Sequence, residues 1–232
     1  MTDTATTPAT EAEQEAVQVG FSYVELLYMT EAPGEAQPAM SRALMGLADP
    51  SESEAELEKL IAIGGSTLTA RNMVSFTDDG LKVLLADDAL FVSYVLSNAQ
   101  RWTKFESING AAGDVGFLIE SALGSVLAQP RAMDTWWFIF LTPDASSAGL
   151  IADSAIALAS QGEESAVFVH VLSLDYDYSF TIHHKEPEWA YAHGTSGNEV
   201  PDARVENTDQ TAVVTALRSF IDGLPEIEVL VK

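Results

Sequence analysis

Apolar positions crowd most densely in residues 133–142, where Trp136, Trp137, Phe138, Ile139 and Phe140 run straight into Leu141. A run of aromatic and β-branched residues this short predicts a strand buried on both faces, central to the sheet. Of the paired tryptophans, one is expected in the core and the other under a covering helix. Pro143 stops the strand, and Asp144 or Ser146 can cap a helix over 150–160, with Ile151, Ala155 and Leu158 facing the sheet.

Upstream the pattern is more helical. The stretch 21–29 fits a strand or a helix equally well, and 30–40, with Pro33, Gly34 and Pro38, reads as a loop before one or two helical turns at 41–48. Ser51 with Glu54 forms a capping box for a helix with Leu57, Leu60, Ile61 and Gly64 on one face, ended by Gly64-Gly65. The segment 68–76, a turn at Asp79-Gly80 and a short strand at 81–85 lead into an aspartate-capped helix over 89–101.

Residues 115–129 fit a hairpin or a single helix. Gly116 and Gly124 disfavour the helix by about 1 kcal/mol each relative to alanine. Strands follow at 166–174, 178–184 and 189–193, then a polar loop at 194–207. Thr208 or Asn207 caps a last helix carrying Val213, Leu217, Phe220, Ile221 and Leu224, and 227–231 can add an edge strand. Along 178–184, Tyr178, Phe180 and Ile182 alternate with polar residues, which indicates an antiparallel sheet. The fold class is therefore α+β: a mainly antiparallel sheet with packed helices, the N-terminal half more helical. Two related halves are a further option, since 66–101 and 167–223 both run strands then helix. The expected organisation is an acidic disordered tail at 1–17, a helix-rich subdomain at 18–109, and a sheet with two helices at 110–232, packed as one continuous unit.

Charge narrows the function. With 35 Asp and Glu against 11 Lys and Arg the chain carries a net −24, which repels nucleic acid and anionic lipid. The helix–turn–strand–helix outline before Gln100 resembles a winged-helix module, but Lys59, Arg71 and Lys82 are outnumbered there by acids, so DNA binding is not expected. There is no cysteine, which excludes disulfides and thiolate chemistry. The first twenty residues lack Lys, Arg and an apolar run, unlike a signal peptide, and no stretch reaches the ~18 apolar residues of a membrane span. The expectation is a cytoplasmic protein, monomer or homodimer, with no cofactor.

Chemistry-bearing motifs are sparse. Gly-x-Ser-x-Gly and Gly-x-Gly-x-x-Gly do not occur, and Gly64-Gly65-Ser66-Thr67 lacks the lysine of a phosphate loop. The four histidines, His170, His183, His184 and His193, fall in the C-terminal strands. His183 and His193 across a hairpin, with Glu186, form the metal set of an alternative reading as a metal-dependent enzyme. The preferred reading is a non-enzymatic protein-binding protein. Its contact surface is expected at Phe180, Ile182, Trp189 and Tyr191, where aromatics border the polar loop at 194–207.

A pattern supports that preference. Residues 57–102 combine a helix before Gly64, Leu68-Thr69-Ala70-Arg71, an Asp79-Gly80 turn, an aspartate-capped helix and Arg101-Trp102, and the chain closes on sheet, polar loop and helix. This resembles the EspG proteins of actinobacteria, cytosolic chaperones of type VII secretion. The resemblance implies an α+β fold with two related halves, no catalysis, and binding to the tips of secreted helical-hairpin proteins. In place of the Gly-Arg strand pattern of that family stands Ser179-Phe180-Thr181-Ile182, so no functional residue is carried over.

Overall fold

The computed structural model describes residues 18–31, 35–47, 53–77, 83–108, 115–197 and 201–227. The expected tail at 1–17, the Asp79-Gly80 turn and the edge strand at 227–231 lie wholly or largely outside the described residues.

The ambiguous opening resolves into both alternatives in succession. Strand β1 (Gln18–Ser22) runs straight into helix α1 (Tyr23–Met29), whose entry is fixed by the Ser22 backbone N–H donating to Glu25 Oε2 at 2.8 Å. Part of the expected loop is helix α2 (Ala36–Leu44). Pro38 falls in its first turn, where a backbone N–H has no helical partner to lose. Helix α3 (Glu54–Ala70) is capped by Ser53 with Glu56, two residues later than expected. The two hydrogen bonds from Ser53 hold the Glu56 carboxyl below the usual range.

Gly64-Gly65 does not end α3. A Cβ on Gly64 would lie 1.9 Å from the Val24 carbonyl oxygen, and one on Gly65 would lie 2.8 Å from the Tyr28 ring. The glycines let α1 and α3 cross closely, a packing use that local sequence does not distinguish from a helix stop. Strands β2 (Val74–Phe76) and β3 (Val83–Leu85) pair as a separate small hairpin. Helix α4 (Asp87–Ser97) stops four residues short of expectation, and the chain turns at Asn98 into β4 (Ala99–Ile108).

The remaining elements are β5 (Val115–Ser121), β6 (Gly124–Arg131), β7 (Thr135–Phe140), α5 (Ser147–Ala159), β8 (Glu164–Leu172), β9 (Asp177–Lys185), β10 (Glu188–Thr195), β11 (Ala203–Thr208) and α6 (Gln210–Asp222). Residues 115–131 form the hairpin, not the helix. β11 lies inside the expected polar loop; its residues are mostly exposed, so no apolar period marks it. Asp209, not Thr208 or Asn207, caps α6, accepting from the Ala212 N–H at 2.8 Å.

Nine strands form one wholly antiparallel sheet in the order β1-β7-β6-β5-β4-β8-β9-β10-β11. The fold is α+β and richer in strand than in helix. Two meanders, β4 to β7 and β8 to β11, run outward from the central β4–β8 pair. The aromatic run of β7 is therefore not central but next to the edge. It alternates: Trp136 and Phe138 enter the core, while Trp137 on the opposite face is 42% exposed beside Gly20 of β1, not covered by a helix.

Two cores lie on opposite faces. On one, α1, α3 and α4 join Phe21, Trp102, Phe117, Ile119, Val126, Trp136 and Phe138. On the other, α5 and α6 cover Phe105, Leu118, Val167, Val169, Val171, Phe180 and Ile182. The N-terminal helices thus cover the first face only along β1 and β4–β7. Among the described residues, no helix lies on that face along β8–β11.

Candidate functional site

The strand registers determine what the open face presents. Directly opposed residues share a face, so Glu106, Phe168, Thr181, Ala192 and Arg204 form one row from β4 to β11. Lys104, His170, Ser179 and Gly194 form the row on one side of it, and Ile108, Ala166, His183 and Ala190 the row on the other. Glu164, Lys185 and Glu188 close the far end. Side chains shrink towards β10, where Ala190 and Ala192 make a low floor, while Gly194 is covered by Asp202. Between that floor and the Arg204–Glu206 rim lies a trough of about 340 Å³, also lined by Thr181, His183 and Lys185. A second hollow of about 300 Å³ around Phe168, His170 and Ser179 adjoins it at Thr181.

Most acids on this face lie beside a basic side chain. Lys104 Nζ lies 2.5 Å from Glu106 Oε2, and His170 Nε2 lies 2.6 Å from Asp177 Oδ1. His183 and Lys185 flank Glu164 at 3.8 and 3.6 Å, and Arg204 meets Glu206 at 2.5 Å. Exposed pairs of this kind contribute about 0–1 kcal/mol each to stability. Their larger effect is on the surface: in a chain of net −24, this face carries a cation beside most of its acids. Ile108 and Phe168 stand exposed among them.

The expected contact residues lie on the other parity of the same strands. Phe180 and Ile182 are fully buried and Trp189 is 7% exposed, stacked on His184 at 4.2 Å between ring centres. Tyr191 is part-buried and stacks on Phe180 at 5.3 Å. Phe180, Ile182 and Trp189 belong to the core beneath α5 and α6 and Tyr191 packs against it, while Trp189 and Tyr191 also line the trough. Phe180 and Ile182 are packing residues. The signal for the open face was the complementary set, Thr181, His183, Ala190 and Ala192, which strand alternation assigns to the opposite side.

The metal set does not assemble. His183 pairs across the hairpin with Ala190 and points to the open face. His193 pairs with Phe180 and stacks on it at 5.6 Å, on the opposite face of the sheet. Glu186 sits in the β9–β10 turn before a cis Pro187. Among the described residues no three His, Asp or Glu side chains are grouped to hold a metal ion. No described helix is long and apolar enough to cross a membrane.

One buried polar group lies away from this face. Arg101 donates to both Glu120 oxygens, from Nε at 2.6 Å and Nη2 at 2.9 Å, and Ser147 at the start of α5 donates to Glu120 Oε1 at 2.6 Å. Burial pulls the guanidinium down most strongly, but Glu120 and Tyr176 together outweigh it and hold Arg101 above its ordinary value. This is a structural clamp between β4, β5 and α5.

No family model matches the chain, and no curated protein matches it in sequence. Among solved structures it is similar to one described as the Mycobacterium tuberculosis type VII secretion system chaperone EspG5 in complex with the PE25–PPE41 dimer. The TM-score is 0.55 at 10% identity, covering 91% of this chain and 98% of that one. At such identity the likeness is one of fold.

Proposed function

We propose that this chain is a non-catalytic, cytoplasmic protein-binding protein, a secretion-chaperone-like adaptor that holds its partner on the open half of the sheet. The observation that carries the reading is the uncovered face itself. Strands β9–β11 line a trough with an alanine floor, Phe168 and Ile108 stand exposed on the same face, and most of its acids lie beside a basic group. A face of this composition can lose water at modest cost, because its apolar parts gain from burial and its cations are already neutralised. The fold shared with a secretion chaperone supports the same reading, as does the pattern in residues 57–102. The partner class implied is a helical-hairpin protein whose apolar end seats in the trough.

The test is a pair of substitutions on the trough floor. Ala192→Arg and Ala190→Arg place a long cation over the floor from part-exposed positions. Both variants should melt close to the parent protein. Affinity capture from native cytosol, read by mass spectrometry, should then lose the partner that the parent protein retains. If both folded variants capture the same partner at the same yield, the trough is not the docking face.

A further inference from the structure

The two edges of the sheet are finished differently. At β1, Arg71 beyond the end of α3 donates from Nη2 to the Gly20 carbonyl at 3.0 Å. Its Nη1 is held by Glu25 at 2.8 Å, and the guanidinium lies 5.4 Å from the centre of the Phe21 ring. A fixed cation that takes a carbonyl of the edge strand obstructs the addition of another strand. The opposite edge, β11, has no strand on its outer side among the described residues, and Arg204, Val205 and Glu206 are exposed along it.

We propose that β11 pairs antiparallel with β11 of a second copy, about a two-fold axis through Val205. Charge selects both the occupant and the register. A chain of net −24 repels its own copy over most of its surface, whereas the short stretch 204–206 is locally neutral and carries both signs on one face. Centred on Val205, the pairing puts Arg204 opposite Glu206 of the second copy, and Glu206 opposite Arg204 of the second copy. A shift that centres it on Arg204 sets two guanidinium groups opposite each other. One that centres it on Glu206 does the same with two carboxylates. Shifts that put a charge opposite Val205 leave the charges unmatched. On the other face, Val205, an aliphatic side chain 36% exposed at the edge, meets its own copy. Asn207, in the left-handed region at φ 54°, ends the pairing. The contact is therefore short, of the weak and reversible class. The two troughs, both on the Arg204–Glu206 face, come together across the axis into one wider surface.

The experiment is sedimentation equilibrium on the full chain over a wide concentration range at ~0.15 M salt, where the Debye length is about 8 Å. The parent protein should move from 24.9 kDa towards twice that mass as concentration rises. Arg204→Glu and Glu206→Arg should each remain monomeric, because each sets like charges across the axis. The double variant Arg204→Glu with Glu206→Arg should dimerise again. Circular dichroism melts show whether each variant folds, and the exposed positions leave no reason for it not to. A parent protein that stays at 24.9 kDa throughout overturns the proposal. So does a dimer indifferent to Arg204→Glu, or a folded double variant that stays monomeric. Partner capture by the trough is read separately and does not depend on the outcome.

Discussion

Arg101 and Glu120 face each other across β4 and β5 and are joined by two parallel hydrogen bonds in an almost water-free site. Removing one member leaves the other charged and unpaired. Arg101→Met should therefore cost about 3–5 kcal/mol, and Arg101→Met with Glu120→Leu should recover most of that loss. Urea unfolding of the three proteins checks this. A base whose folded pKa is raised contributes stability that is fully present below its unfolded pKa and lost only as pH rises through the folded one. The Arg101 guanidinium is raised from an already strongly basic ordinary value, so this contribution should be flat across neutral pH.

Gly64→Ala should be more damaging than its helix propensity suggests. Alanine favours a helix by about 1 kcal/mol, yet its methyl would overlap the Val24 carbonyl and force α1 from α3. A net loss of about 1–3 kcal/mol is expected from overpacking. Gly65→Ala meets only the edge of the Tyr28 ring, which can give, and should melt nearer the parent protein.

Trp189→Ala should lower stability by about 3–5 kcal/mol, as expected for a large core aromatic. Chemical denaturation measures it. Any loss of partner capture by this variant should follow the loss of folded protein, in contrast to the trough variants, which stay folded.

The four tryptophans should separate by solvent access. Trp102, Trp136 and Trp189 are buried, and Trp137 is half-exposed. Trp137→Phe should remove most of the fluorescence that iodide quenches in the native protein and leave the melting temperature nearly unchanged. A quenchable fraction that survives the substitution would contradict the exposed position of Trp137.

The class of fold was legible because hydrophobic period is a local property. The alternation of Tyr178, Phe180 and Ile182 marked β9, and the glycines at 116 and 124 marked a hairpin. Their structural use appears only in three dimensions: a Cβ on Gly116 would lie 2.2 Å from the Phe105 ring. Strand order was not legible. The run from Trp136 to Phe140 is as apolar as a central strand, but it lies beside the edge because β1 alone closes the sheet beyond it. β11 was missed because both its faces carry polar residues. The open face was not legible for a related reason. Aromatics suggest contact surfaces, but here α6 covers them, and which side a helix covers depends on a chain reversal that periodicity does not encode.

The position of β1 has a consequence for synthesis. Phe21 pairs with Trp136, more than a hundred residues further along the chain. At about 5–20 residues per second, the partner strand leaves the ribosome many seconds after β1. Throughout that interval Phe21 and Val19 have no strand to pack beside, and α1 has only α3 and α4 to hold it. The β1–β7 pairing can form only after β7 has emerged, and β8–β11 follow later still. A nascent chain halted before Thr135 would expose an apolar strand with no place to go, so these proteins should depend on holdase chaperones for longer during translation than a chain whose first strand pairs with its second.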